Sequence, residues 1–321
     1  MAGITLKQLS ELSGLSIRTV SRVLKGQAHV IPEKRDLILE LARKHHYIPN
    51  MAARNLRLNR TNIVGIICAN MMQEVSVKKL HDLVMQLEAC GYYPLIGRLD
   101  CNPENIRHML TEWSGVTNHV VVMPSVTEDV STEIVDILRQ YPLTVSFIDQ
   151  KGDEGCHTLN INRATGIRSA IIHLIRSGRK KILRCGDVGT RDSGLAAAFE
   201  ETALSERPEF IRIKYHSDFK EGMELGPRIM ESGADAVFFD TDRMALGFMN
   251  YAAAHHIPIP ERVAVVGFDD DNSGHMIYPA LSTVAHPIEE LNRAVISIIR
   301  SKSQKIVKKS FDTKFIRRAS A

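Results

Sequence analysis

The chain has little of what marks a secreted, membrane-bound or cofactor-dependent protein. Its five cysteines, Cys68, Cys90, Cys101, Cys156 and Cys185, are scattered, odd in number and never spaced CxxC. That excludes a disulfide framework or a thiolate zinc site and predicts reduced thiols in a cytoplasm. No stretch of about eighteen apolar residues occurs, so no membrane span is expected. The first residues lack the apolar core of a signal peptide. There is no GxSxG elbow, no GxxxxGK[ST] loop and no HExxH, which removes three common catalytic frameworks. The expectation is a protein that is not an enzyme and needs no cofactor. The pairs His45–His46 and His255–His256 point in different directions if helical, so no metal site is expected. The single tryptophan, Trp113, stands at a helix end and is expected to pack rather than to stack on a ligand.

What the chain does have is an uneven charge. Residues 1–60 hold 11 Lys and Arg against 4 Asp and Glu, about +7, whereas all 321 residues sum to +4. The remainder is therefore about −3, and the basic excess sits at the N-terminus, the footprint of nucleic-acid binding. Within it, ITLKQLSELSGLSIRTVSRVLKG at 4–26 has the pattern of a helix-turn-helix. Leu6, Leu9 and Leu12 mark one face of a first helix, and Gly14 suits the tight turn. Ser16 fits an N-cap, and Val20, Val23 and Leu24 form the buried stripe of a second helix. Its polar face carries Arg18, Ser21 and Arg22. Two arginines four apart repel on an isolated helix, but suit a face that meets phosphates and base edges. Pro32 opens a third helix near 33–45, with Leu37, Ile38, Leu41 and Ala42 at helical spacing.

From residue 62 onward short apolar runs alternate with helix-length amphipathic stretches. Strands are predicted at 62–68, 92–97, 118–123 and 143–148, with helices near 75–90, 104–113 and 128–140. After a polar gap at 150–156 the pattern restarts. A second series has strands near 157–161, 181–185, 209–214, 235–239 and 263–267, and helices near 164–177, 194–204, 219–232 and 242–256. This predicts two doubly wound parallel-sheet α/β lobes with a cleft between them. Ligands of open α/β sheets bind outside the carboxyl ends of the strands. Asn70, Asp149, Asp187, Asp240, Asp242 and Asp269 to Asp271 fall at such ends.

YIPNMAARNLR at 47–57, together with TVSRVLKG, resembles the lactose-repressor/galactose-repressor (LacI/GalR) family of bacterial transcription regulators. HTLNINRATG, RDSGLAAAF, DTDRMALG and VAVVGFDDD extend the resemblance in order along the chain. It implies a helix-turn-helix headpiece at 1–46, a hinge helix at 47–60, and an effector-binding and dimerisation body at 61–321 like a periplasmic sugar-binding protein. The body divides into an N-lobe at about 61–155, a C-lobe at about 156–290 and a final segment returning across both. The expected DNA-contacting set is Thr5, Leu6, Ser16, Ile17, Arg18, Thr19, Ser21, Arg22, Asn50, Ala53 and Leu56. Leu56 matches the family's minor-groove wedge. Asn70, Asp149, Arg191, Asp242 and Asp269 match cleft positions where carboxylates and an arginine suit a polyol.

The resemblance thus implies a homodimeric repressor on a pseudo-palindromic operator, controlled by a small carbohydrate-like effector. The chain departs from the family in CANMMQEV after the first body strand, at Thr241 and at Asn162–Arg163. Arg184 interrupts an apolar strand and Arg98 ends another; either the two serve an anionic effector, or Arg184 pairs with a nearby aspartate or lies at a frayed edge. A sugar phosphate, a sugar acid or a nucleobase therefore stays open as effector, and a plain solute-binding protein as function. No heptads follow the last strand, near 311–316, so a dimer is expected.

Overall fold

The computed structural model describes residues 4–27, 30–47, 61–69, 73–99, 102–123, 131–149, 155–186, 194, 196–197, 209–212, 218–301, 303 and 305–321. The chain divides into two compact units, Met1–Thr61 and Asn62–Ala321.

In the first unit, α1 (Leu6–Ser13) starts on a reciprocal capping box: the Thr5 hydroxyl accepts from the Gln8 backbone and the Gln8 side chain accepts from the Thr5 N–H. It ends at Gly14, whose φ of 65° is left-handed and needs a residue without Cβ. The helix α2 (Ile17–Leu24) follows, with Ser16 Oγ accepting from the Thr19 N–H at 3.2 Å. Then comes α3 (Pro32–Lys44), opened by its proline. Leu9, Val20, Val23 and Ile38 form the core. Leu12 and Leu37, expected inside, are exposed. A unit this small has little interior, so the edges of each apolar stripe face out.

The second unit holds two parallel sheets. The first contains β1 (Ile63–Cys68), β2 (Tyr93–Arg98), β3 (His119–Met123), β4 (Thr144–Ile148), β5 (His157–Asn162) and β11 (Lys308–Asp312). Their spatial order is β11-β5-β4-β3-β1-β2. The second contains β6 (Ile182–Gly186), β7 (Glu209–Arg212), β8 (Ala236–Phe239) and β9 (Ala264–Val266), in the order β7-β6-β8-β9. A separate antiparallel pair joins β10 (Thr283–Ala285) to β12 (Lys314–Ile316). Helices α4 (Glu74–Ala89), α5 (Pro103–Trp113), α6 (Thr132–Arg139) and α12 (Ile288–Arg300) accompany the first sheet. The second is accompanied by α7 (Arg163–Arg176), α8 (Phe219–Glu224), α9 (Gly226–Glu231), α10 (Asp242–Ala254) and α11 (Asn272–His275). Each sheet has an apolar cluster on both faces, as buried parallel strands require.

Two expectations are corrected. The strand near 157 was assigned to the second series, but it pairs in parallel with β4 and completes the first sheet. Local pattern identifies a strand but not the sheet it joins. The helix predicted at 219–232 is two helices, broken at Leu225, so that Pro227 falls in the first turn of the second, where a proline is tolerated, rather than in a helix interior. Trp113 packs as expected. A Cβ on Gly65 would lie 2.5 Å from its ring, so that glycine is the clearance the indole needs. No helix among the described residues is long and apolar enough to cross a membrane.

Candidate functional site

The headpiece presents its candidate surface on α2. The cap at Ser16 and the buried Val20 and Val23 fix the rotation of this helix. Ile17, Arg18 and Arg22 are therefore exposed, with Thr19 and Ser21 half-buried beside them. Ile17 is 47% exposed, unusual for an isoleucine at a helix start. No ion pair engages Arg18 or Arg22 among the described residues. Thr5 is exposed and Leu6 half-buried at the start of α1. Asn50, Ala53 and Leu56 lie outside the described residues, as do Asn70, Asp187 and Arg191.

In the body, Asp149 follows β4 with a φ of 60°, in the left-handed region that few residues other than glycine, asparagine and aspartate adopt. Arg163 holds it with two parallel bonds of 2.8 and 2.7 Å, and Lys79 donates at 3.0 Å. Burial alone would raise its pKa; the two cations more than offset this and hold it below the usual carboxylate value. Asp242 is fully buried at the start of α10. It accepts from the Thr283 hydroxyl at 2.5 Å and the Asp271 N–H at 2.8 Å, with no ion pair to a cation among the described residues. Asp269, at φ 116°, lies 3.1 Å from His286 Nε2. Arg184 is only 1% exposed and clamps Asp240 through Nε and Nη2, both at 3.0 Å. Arg98 is exposed at the end of β2.

Both lobes line one cavity of about 670 Å³, the size of a small-ligand site. Gln73, Glu74 and Val75 come from the first lobe; Thr241, Arg243, Asp269 and Asp271 come from the second. Of the sequence-assigned set Asp269 lines it; Asp149, Asp242 and Arg184 are not among its lining residues. At its edge the lobes touch. Glu74 accepts from the Asn272 N–H and from Ser273 Oγ, and Lys78 donates to the Asp270 carbonyl. Glu74 and Arg243 carried no sequence signal as cavity residues, because their partners are distant in the chain.

Burial pushes Asp242 up to about 7, against the Thr283 and Asp271 bonds that favour its ionised form. Burial, then the Glu74 carboxylate, pushes Asp271 up to about 6. An acid whose folded pKa is raised binds more protons folded than unfolded. The stability it contributes is complete below the ordinary value of 3.8 and is lost as pH rises through 6 to 7. The melting temperature is thus expected to fall between pH 5.5 and 8, and to fall less in Asp271→Asn. An equal decline in both proteins, followed by circular dichroism, would remove Asp271 as a cause.

A helix-turn-helix with an exposed basic face, followed in the chain by a two-lobed α/β body with an inter-lobe cavity, defines a ligand-responsive DNA-binding regulator. Residues 5–50 match the model of bacterial regulatory proteins of the lacI family, and residues 171–320 match a periplasmic binding protein-like domain. Catabolite control protein A of Staphylococcus xylosus is 25% identical over 299 residues, 90% of this chain and 89% of that protein. The HTH-type transcriptional repressor PurR of Haemophilus influenzae is 24% identical over 305 residues, 92% of this chain and 90% of that protein. The Lac repressor dimer bound to operator and the anti-inducer ONPF superposes with a TM-score of 0.81 at 17% identity, covering 99% of both chains, which establishes the fold. The chain belongs to the LacI family of DNA-binding transcriptional regulators.

Proposed function

We infer that the protein acts in the cytoplasm as a homodimeric repressor, its operator affinity set by a small polar effector held between the lobes. The observation that carries this is the face of α2, where Ile17, Arg18 and Arg22 project without counter-charge from the described residues. Such a face fits the major groove, with arginine donating to guanine and isoleucine meeting a thymine methyl. Dimerisation is supported by apolar side chains left outside on the body. Tyr93 and Ile96 stand exposed on β2, an edge strand, Met85 on α4, and Met276 and Tyr278 beside α11, Tyr278 at 97% exposure. Apolar side chains of this kind are what a subunit interface would cover.

The hinge residues Asn50, Ala53 and Leu56, and the effector residues Asn70, Arg191, Asp149, Asp242 and Asp269, are assigned through the family resemblance. Arg184 is not given an effector role, because Asp240 already occupies its guanidinium from within the second lobe. Leu56→Ala is expected to reduce DNA bending, read by circular permutation of the site in a gel assay, with effector affinity off DNA unchanged. Unaltered bending would reject the wedge. The allosteric part is tested by reciprocity. A ligand that changes DNA affinity by some factor must have its own affinity changed by DNA by the same factor. A ligand of the cavity that leaves DNA affinity untouched would contradict the effector reading.

A further inference from the structure

The inter-lobe cavity has an unusual electrostatic balance. Among the described residues that line it, three are acids, Glu74, Asp269 and Asp271, and one, Arg243, is a lysine or arginine. Glu74 is already engaged by the Asn272 N–H and Ser273 Oγ, and Asp269 faces His286. Asp271 differs from both. It is only 7% exposed, it lines the cavity, and its Oδ1 has no hydrogen-bond partner among the described residues. It also precedes the short helix α11 without capping it. A buried carboxylate oxygen with nothing to accept from is costly, and native structures keep few of them. Apolar side chains line the same cavity: Leu246, Met249, Ala253 and Ile277. An occupant that satisfies both has a carbon body against these apolar side chains and a charged donor at Asp271.

Resting on the reading of this cavity as the effector site, we propose that its ligand carries an ammonium group, received by the Asp271 carboxylate. An amine or an amino sugar is therefore the fitting class, rather than a phosphate or an acid. At Asp271 an anion would meet a carboxylate that already has Glu74 and Asp270 close by. The groups that surround Asp271 are Glu74 and Lys78 from α4, Asp242 and Arg243 from α10, and Asp270 from its own segment. Asp270 is itself held by Arg318 and His275, so its charge is already answered. None of these supplies a donor to Oδ1.

The test uses the full chain and two matched sets of probes: benzylamine, benzyl alcohol and benzoate, and glucosamine, glucose and glucuronate. Binding is read by calorimetry and by the shift in melting temperature at pH 7.5. In at least one set the amine is expected to bind about tenfold or more tightly than its neutral partner, the gain of a charge-assisted bond, with no binding by the acid. Asp271→Asn, which keeps the shape, should remove that preference. Amine binding should also weaken as pH falls through about 6, where Asp271 takes up its proton. Equal or tighter binding of the neutral or acidic members, absence of binding by every probe, or an amine preference that survives Asp271→Asn would each overturn the proposal. A neutral sugar that binds and alters DNA affinity would overturn it while leaving the effector reading intact. Asp271-dependent amine binding without any change in DNA affinity would do the reverse.

Discussion

Arg184→Met is expected to destabilise the body by about 3–5 kcal/mol, the usual cost of stripping one partner from a buried ion pair. Arg184 sits in β6 in the interior of the second sheet, and Asp240 ends the neighbouring β8. Both side chains are 1% exposed, so water cannot replace the lost guanidinium. Gly186 shares the arrangement: a Cβ there would fall 2.0 Å from Asp240, so the backbone gives way to the carboxylate. Removing the arginine leaves a buried carboxylate without its guanidinium, a state that favours uptake of a proton or entry of water. Urea denaturation followed by circular dichroism measures the loss. The double variant Arg184→Met with Asp240→Leu should recover most of it, because a well-packed apolar pair can match a buried ion pair. A single variant within about 1 kcal/mol of wild type, the scale of an exposed salt bridge, would show that the pair is not sealed as described.

Arg18→Ala carries the largest functional effect. A bidentate arginine–guanine contact is worth about 1–3 kcal/mol of discrimination against the wrong base. A dimer on a symmetric site makes the contact twice, so about 2–6 kcal/mol of specific binding should disappear. The loss should be confined to one base position in each half-site. Ser16→Ala, by contrast, should cost about 1 kcal/mol of headpiece stability through the lost cap, without altering base preference. Selection of bound duplexes by wild type and Arg18→Ala separates the two roles. Identical preferred motifs from both proteins would end the base-reading role of Arg18.

The parts legible in the sequence were those set by local physics. The turn at Gly14, the cap at Ser16 and the stripe of Val20 and Val23 lie within ten residues of one another, so spacing alone implied α2 and its outward arginines. The alternating strands and helices of the body were legible for the same reason. What depended on distant partners was not. Asp149 stood out as a strand-end acid, but its neutralisation by Lys79, 70 residues earlier, and by Arg163, 14 residues later, left no pattern. Arg184 stood out as a charge in an apolar strand; pairing with an aspartate was one of its two readings, and Asp240 supplies that partner. The lobe contact between Glu74 and Asn272 joins residues 198 apart. The strand at 157–162 had its type visible and its sheet hidden, because register with β4 is a tertiary choice.

The most direct test of the central claim is equilibrium binding of the intact protein to duplex DNA enriched from a random pool, repeated across a range of salt. A regulator that reads DNA through a basic headpiece releases counterions when it binds, so affinity must fall steeply and linearly on logarithmic axes as salt rises. The account predicts that slope, together with enrichment of a two-fold symmetric sequence bound far more tightly than unrelated duplex. A salt-independent affinity, or a pool that never converges on a sequence, would contradict it.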